Sequence, residues 1–231
     1  MSDAVQEQKQ QVRRRLRASR SQLSPQEIAR RGLMLRDALQ AHINPQAVVA
    51  GYVPFPGEPD VMPFLHAHSG LYGTVYLPMI DSTGSRKLRW GWWNPGIALQ
   101  PGALIPVMEP ADDCPGSLDD LAAQAAQLHL DAHDPWRSPL LPEPTDPPAQ
   151  LVILVPALAI DTNGARMGQG GGFYDTTLAG LDQLIAEHPG LRCEVIAVVH
   201  SGEVLDPGSF PVEDHDLRVS QAATEYRVFT L

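Results

Sequence analysis

Ten consecutive residues, Arg166-Met167-Gly168-Gln169-Gly170-Gly171-Gly172-Phe173-Tyr174-Asp175, join a guanidinium, four glycines within five positions and a carboxylate. Glycines let backbone N–H groups close on an anion, a helix N-terminus adds its positive end, and arginine grips phosphate with two parallel hydrogen bonds. The chemistry this pattern suits is phosphate binding. It is not a Walker A loop, since no Lys-Ser/Thr follows, and position 173 is Phe where a dinucleotide fingerprint needs Gly. A flexible hairpin-like turn is the plainer alternative, but a simple turn needs neither four glycines nor an arginine. Asp175 falls in the first turn of the helix that should follow. There a carboxylate either complements the helix dipole, worth about 0.3–1 kcal/mol, or lies beside bound phosphates and holds Mg²⁺.

Other candidates are weaker alone. Lys9 and Arg13 are four apart, on one face of a helix. A solvated basic helix is the common reading of such a pair. Yet the chain has two lysines, Lys9 and Lys87, against 15 arginines, which hints at a point-charge role for Lys9. Glu58 follows Pro54-Phe55-Pro56-Gly57 at a strand end, as a ligand-edge acid or an exposed loop acid. Glu213-Asp214-His215-Asp216 is a carboxylate cluster that fits solvated surface equally well. His129 and His133 have i,i+4 spacing but stand beside Pro135 with no H-E-x-x-H, so no zinc site is expected. There is no G-x-S-x-G and no Cys placed with a base, which leaves nucleophilic hydrolysis unsupported.

The elements that must position these residues are legible in outline. Residues 5–20 read as a helix, with Val12 and Leu16 at i,i+4 among basic residues. Ser24-Pro25-Gln26-Glu27 is a helix start, and Asn44-Pro45 bounds that helix. Val48 to Phe55 is expected as a strand, Pro59 to His68 as a short helix, Thr74 to Ile80 and Leu88 to Trp93 as strands. Leu151 to Leu158 is a continuous apolar run, as in a strand buried on both faces. After the glycines comes a helix with Tyr174, Leu178, Leu181 and Ile185 on one stripe, ending at Pro189-Gly190, and then the strand Glu194 to Val199. Strand, helix, strand at this spacing is a βαβ unit, hence an α/β fold with a mostly parallel sheet and helices on its faces. The glycine loop then sits at the carboxyl end of a strand, where open α/β sheets bind ligands.

At 231 residues the chain suits one domain better than two, and it buries enough surface to fold without a disulfide or metal staple. Two distant cysteines, Cys114 and Cys193, exclude a disulfide framework. The net charge is −10, unevenly placed. Residues 1–36 hold nine of the 17 basic residues and three acids, so +6 stands there against −16 on the rest. A basic segment on an acidic body suits a local anionic ligand rather than long nucleic acid. No apolar run can cross a bilayer and the N-terminus has no apolar secretory core, so no membrane partner is expected and the cytoplasm is the expected compartment. Residues 111–149 carry seven prolines, eight acids and one base, with only Leu118 to Leu128 helical in pattern. They read as an acidic surface insertion, mobile in part, whose replacement from 112 to 147 should leave an active protein.

The 166–175 run, after Val155-Pro156-Ala157-Leu158-Ala159-Ile160-Asp161, resembles the R-x-G-x-G-[GK]-G-[YF]-Y-D signature of the 5-formyltetrahydrofolate cyclo-ligase (methenyltetrahydrofolate synthetase) family. Collinear pieces agree: Lys9 and Arg13 with its K-x-x-x-R, Tyr52-Val53-Pro54 through Glu58 with its Y-x-P…E, Leu77-Pro78, Glu109-Pro110, and Pro211 to Asp216 with its P-x-E-x-H-D. The likeness lapses over roughly 111–149. Gln169 and Gly171 stand where some members have Arg and Lys, Phe173 replaces a frequent Tyr, and His200 to Glu203 lacks a Gln often found there. The resemblance implies a three-layer α/β/α sandwich like that of ribose-phosphate isomerase and CoA transferase. It implies ATP- and Mg²⁺-dependent conversion of 5-formyltetrahydrofolate to 5,10-methenyltetrahydrofolate, ADP and phosphate, in a monomer or weak homodimer. By the same resemblance Lys9, Arg13 and the stretch Arg166, Met167, Gly168, Gln169, Gly170, Gly171, Gly172, Phe173 and Tyr174 bind ATP. Arg166 and Tyr174 serve catalysis, Val53, Glu58 and Tyr174 contact folate, and Asp175 and Asp216 hold Mg²⁺. A paralogue that binds nucleotide or folate without turnover is the alternative.

Overall fold

The computed structural model describes residues 3–70, 73–81, 84–102, 104–112, 114–132, 150–213 and 216–231. In chain order the helices and strands are α1 (Asp3–Arg20), α2 (Pro25–Gln40), β1 (Val48–Ala50), α3 (Met62–Ser69), β2 (Thr74–Ile80), β3 (Leu88–Trp93), β4 (Leu99–Pro101) and β5 (Met108–Pro110). There follow α4 (Leu118–Ala132), β6 (Gln150–Pro156), β7 (Ala159–Asp161), β8 (Arg166–Met167), α5 (Phe173–Leu178), α6 (Leu181–Glu187), β9 (Arg192–Val198), β10 (Val204–Leu205), β11 (Gln221–Ala223) and β12 (Val228–Thr230). The main sheet has seven strands in the order β12-β11-β9-β6-β1-β2-β3. Its interior pairings are parallel and each edge strand is antiparallel to its neighbour.

Side-chain alternation along the central strands builds the layers. Val152 and Leu154 of β6 join Leu35 and Leu39 of α2 and Phe64 and Leu65 of α3 in one core. Leu151, Ile153 and Val155 join Leu121 of α4, Leu178 of α5 and Leu184 of α6 in the other. Both faces of the sheet are therefore covered, as parallel sheets require, and the α/β/α sandwich is present. Helix α1 packs Leu16 onto Leu158, Met167 and Phe210, beyond the carboxyl end of β6. A small sheet of order β10-β7-β8 lies there too.

Several expectations change. The segment 111–149 is not all surface excursion: Leu121 and Ala122 of α4 are 1% and 0% exposed, within the second core. Proline and acid content mark the segment's solvent side and hide that α4 is a layer helix. Its Pro-rich remainder, residues 133–149, lies outside the described residues, as do Asp214 and His215. The strand expected at 48–55 pairs only over Val48–Ala50; its neighbours β2 and β6 run on to Ile80 and Pro156, but Pro54 and Pro56 have no N–H to extend the ladder. Of the apolar run 151–158, β6 takes the residues to Pro156, and Ala157-Leu158 lead into β7 of the small sheet. The helix expected after the glycines breaks at Ala179-Gly180, so Leu184 rather than Ile185 is buried in its second half.

Candidate active site

Helix α1 lays four basic side chains along one face, at spacings of four, four and three residues. Lys9, 5% exposed, donates to Asp216 Oδ2 at 2.6 Å and to Glu213 Oε2 at 2.8 Å. Burial works against its charge, but the hydrogen bonds to these two carboxylates outweigh it and raise its pKa. Arg13 donates through Nε to the Gly168 carbonyl at 3.0 Å. Burial, followed by the like charge of Arg17, lowers its pKa from the ordinary arginine value. Arg17 reaches Gln169, and Arg20 makes a two-point pair with Glu203 at 2.6 and 2.8 Å.

The loop facing this stripe begins in the β7–β8 hairpin. Asp161 Oδ1 accepts from the N–H groups of Asn163 and Ala165, each at 2.9 Å, and shapes the turn. Gly164 has φ +82°, and a Cβ there would meet the Val219 carbonyl at 2.3 Å, so this turn requires glycine. The Asn163-Gly164 end of the glycine-rich stretch is thus a structural turn, distinct from the loop at 168–172. In that loop Gly170 takes φ +105°, with the Arg13 guanidinium 3.4 Å from where a Cβ would stand. Helix α5 has six residues, too short for a large dipole, so the loop's own N–H groups are the principal anion donors.

Arg166, 6% exposed, donates to Asp175 Oδ1 at 2.8 Å and to the Pro156 carbonyl at 3.2 Å. Its Nε is buried with no hydrogen-bond partner. Asp175 Oδ1 also accepts from the Leu217 N–H at 3.0 Å. Burial pushes the Asp175 carboxyl upward, but Arg166 and the Leu217 N–H outweigh it, and its pKa lies below the ordinary carboxylate value. The Tyr174 hydroxyl is likewise buried without a partner, and burial, then the Glu58 charge, raises its pKa. Buried orphan donors are costly, at about 1–3 kcal/mol each, unless a ligand oxygen takes them.

Two cavities meet across this loop. One, about 220 Å³, is polar and takes in Lys9, Arg13, Arg86, Asp175 and Asp216. The other, about 360 Å³, is mostly apolar and takes in Val53, Phe55, Ile105, Val107 and Tyr174, with the buried carboxylate of Glu58. Arg166, Gly168, Gly170, Gly172 and Asp175 border both. A charged compartment and an apolar one, sharing a wall of glycine backbone, Arg166 and Asp175, suit phosphoryl transfer between a nucleotide and an aromatic acceptor.

A family model described as the 5-formyltetrahydrofolate cyclo-ligase family matches residues 5–225. The chain belongs to that family. The 5-formyltetrahydrofolate cyclo-ligase of Mycolicibacterium smegmatis is 34% identical over 182 residues, 78% of this chain and 74% of that one. The structure of a 5,10-methenyltetrahydrofolate synthetase from Aquifex aeolicus superimposes with a TM-score of 0.64 at 20% identity, covering 96% of this chain and 92% of that one. One from Mycoplasma pneumoniae gives 0.58 at 15%, covering 93% and 96%. At those identities the two structures speak for the fold alone.

In this cyclo-ligase family chain the candidates fall into two groups. Lys9, Arg13, Met167 and Asp216 border the polar cavity, and Val53, Glu58, Gln169, Gly171, Phe173 and Tyr174 the apolar one, with Arg166, Gly168, Gly170, Gly172 and Asp175 common to both. Met167 also fills the core beneath α1 at 3% exposure, so its side chain is packing. Gln169 turns away from the polar cavity and donates to Glu58 Oε1 at 2.7 Å. Sequence reasoning missed Arg17 and Arg20, although the spacing from Lys9 and Arg13 continues to them. It also missed Arg86, whose guanidinium lies 3.7 Å from where a Cβ on Gly172 would stand. Ile105 to Val107, which wall the apolar cavity from the β4–β5 connection, carried no signal beyond their apolarity. No group of three or more His, Cys, Asp or Glu fit to hold a metal occurs among the described residues, and none of their helices is long and apolar enough to cross a membrane.

Proposed function

We propose that the chain catalyses the ATP-dependent closure of 5-formyltetrahydrofolate to 5,10-methenyltetrahydrofolate, releasing ADP and phosphate. The observation that carries this reading is the pair of unlike cavities sharing the Arg166–glycine wall. ATP phosphates enter the polar cavity, where Lys9, Arg13, Arg166 and the loop N–H groups neutralise them. The pterin enters the apolar cavity, with Val53 and Tyr174 against it and Glu58 accepting its hydrogen bonds. The γ-phosphoryl group passes to the formyl oxygen across the shared wall. N10 then closes on the activated carbon and loses its proton, and the carbon–oxygen bond breaks to release phosphate.

Mg²⁺ fits as a companion of the nucleotide rather than a resident ion. Two carboxylates, Asp175 and Asp216, border the polar cavity, each already held by a cation. Mg²⁺ needs one or two carboxylates when phosphates and water complete its shell, and there it neutralises developing phosphate charge. The protein's own part is orientation: Arg166 holds Asp175 and the Glu213 N–H holds Asp216, at 2.8 and 2.7 Å. The compartment we infer is the cytoplasm.

The test is incubation with 5-formyltetrahydrofolate, ATP and Mg²⁺, following the near-UV absorbance of the methenyl product. Product is expected only when all three are present. Product formed equally without ATP would overturn the reading.

A further inference from the structure

Glu58 is 3% exposed, and a carboxylate so buried needs donors. The Phe55 N–H gives one to Oε2 at 3.0 Å. Arg20 stands 4.0 Å from Oε1, beyond a hydrogen bond, with its other nitrogens committed to Glu203 and the Ala157 carbonyl. The donor on Oε1 is Gln169 Nε2 at 2.7 Å. Gln169 is in turn gripped by Arg17, whose Nε and Nη2 donate to its side-chain oxygen at 3.1 and 2.9 Å and whose Nη2 reaches its carbonyl at 3.0 Å. These partners fix the amide orientation. Flipped, its NH₂ would face a guanidinium and its oxygen a carboxylate.

We propose that Gln169, clamped by Arg17, is a positioning residue for Glu58, so that the glycine loop and helix α1 set the geometry of the apolar cavity. This rests on the folate reading above. The same helix carries Lys9 and Arg13 into the polar cavity, and Arg13 holds the neighbouring Gly168 carbonyl. Arg13 and Arg17, one turn apart on α1, thus hold the adjacent loop residues Gly168 and Gln169, and the side chain of Gln169 serves folate rather than nucleotide.

The experiment compares wild type, Arg17→Met, Gln169→Ala and the double variant in the absorbance assay, with thermal unfolding run alongside. A hydrogen bond to a charged group predicts that Gln169→Ala raises KM for 5-formyltetrahydrofolate about tenfold, with KM for MgATP within about twofold of wild type. Arg17→Met should raise the folate KM by roughly three- to tenfold, and the double variant should be no worse than Gln169→Ala by more than about twofold, because Arg17 acts through Gln169. Arg17→Lys, which keeps charge but loses the two-point grip, should fall between wild type and Arg17→Met. Effects that multiply in the double variant, or a rise in the MgATP KM equal to that for folate, would overturn the proposal with the folate reading intact. A wild-type protein making no methenyl product would remove the folate reading, and this inference with it.

Discussion

Arg166→Met removes the guanidinium between the two cavities while keeping much of its apolar stem. Two consequences follow from its contacts. An oxygen that uses the orphan Nε loses a charge-assisted hydrogen bond worth about 1.5–3 kcal/mol, so MgATP affinity should fall roughly ten- to a hundredfold. The ion pair with Asp175 is also lost. Breaking a fully buried pair costs about 3–5 kcal/mol, but the Asp175 side chain is 25% exposed and screened by water, so about 1–2 kcal/mol of stability is expected. This loss carries a pH signature. A carboxylate whose pKa is depressed on folding contributes stability above its unfolded value, and that contribution disappears as pH falls through the folded value. Asp175 lies below its ordinary 3.8 in the folded protein, so the wild type keeps this contribution down to that pH and loses it below. In the variant the Leu217 N–H remains but the guanidinium is gone, so the Asp175 carboxyl lies higher than in wild type, and the stability gap between the two proteins should narrow in the acid range as pH falls toward and below 3.8. Calorimetric titration with MgATP and urea unfolding across pH measure both effects. Unchanged nucleotide affinity, or a gap as wide in acid as at neutral pH, would refute the reasoning.

Three further outcomes are expected. Lys9→Ala should weaken MgATP binding roughly ten- to a hundredfold by calorimetry, through loss of a cation to phosphate; unchanged affinity would retire Lys9 as a phosphate ligand. Glu58→Gln should raise the folate KM while MgATP affinity stays near wild type, since Glu58 borders the apolar cavity and not the polar one; equal losses for both ligands would contradict that division. Leu121→Ala, at a side chain 1% exposed, should cost about 2–5 kcal/mol in urea unfolding, whereas a dispensable surface segment would show almost none.

What the sequence made legible was chemistry carried by local pattern. The glycine run, the four-residue spacing of Lys9 and Arg13, and the Ser24 cap, whose hydroxyl accepts from the Glu27 N–H at 3.1 Å, are each patterns written within a few residues. What it hid depends on partners far along the chain. β1 stops at Ala50 although its neighbours β2 and β6 run on to Ile80 and Pro156, so its length does not follow from the apolar run at 48–55. Helix α4 is a layer of the core because β1 and β6 present an apolar face to it, despite the acids and prolines around it. Arg17 and Arg20 looked like more of a basic helix, and their meaning comes from Gln169 and Glu203, 152 and 183 residues away.

The central claim is that phosphate passes from the polar cavity to the formyl oxygen in the apolar one. An isotope experiment tests it most directly: 5-formyltetrahydrofolate carrying oxygen-18 in the formyl group, unlabelled MgATP, and mass analysis of the inorganic phosphate released with the methenyl product. Because the formyl oxygen leaves bonded to phosphorus, each phosphate should carry one labelled oxygen. Unlabelled phosphate, with the label recovered in water or formate, would contradict the account.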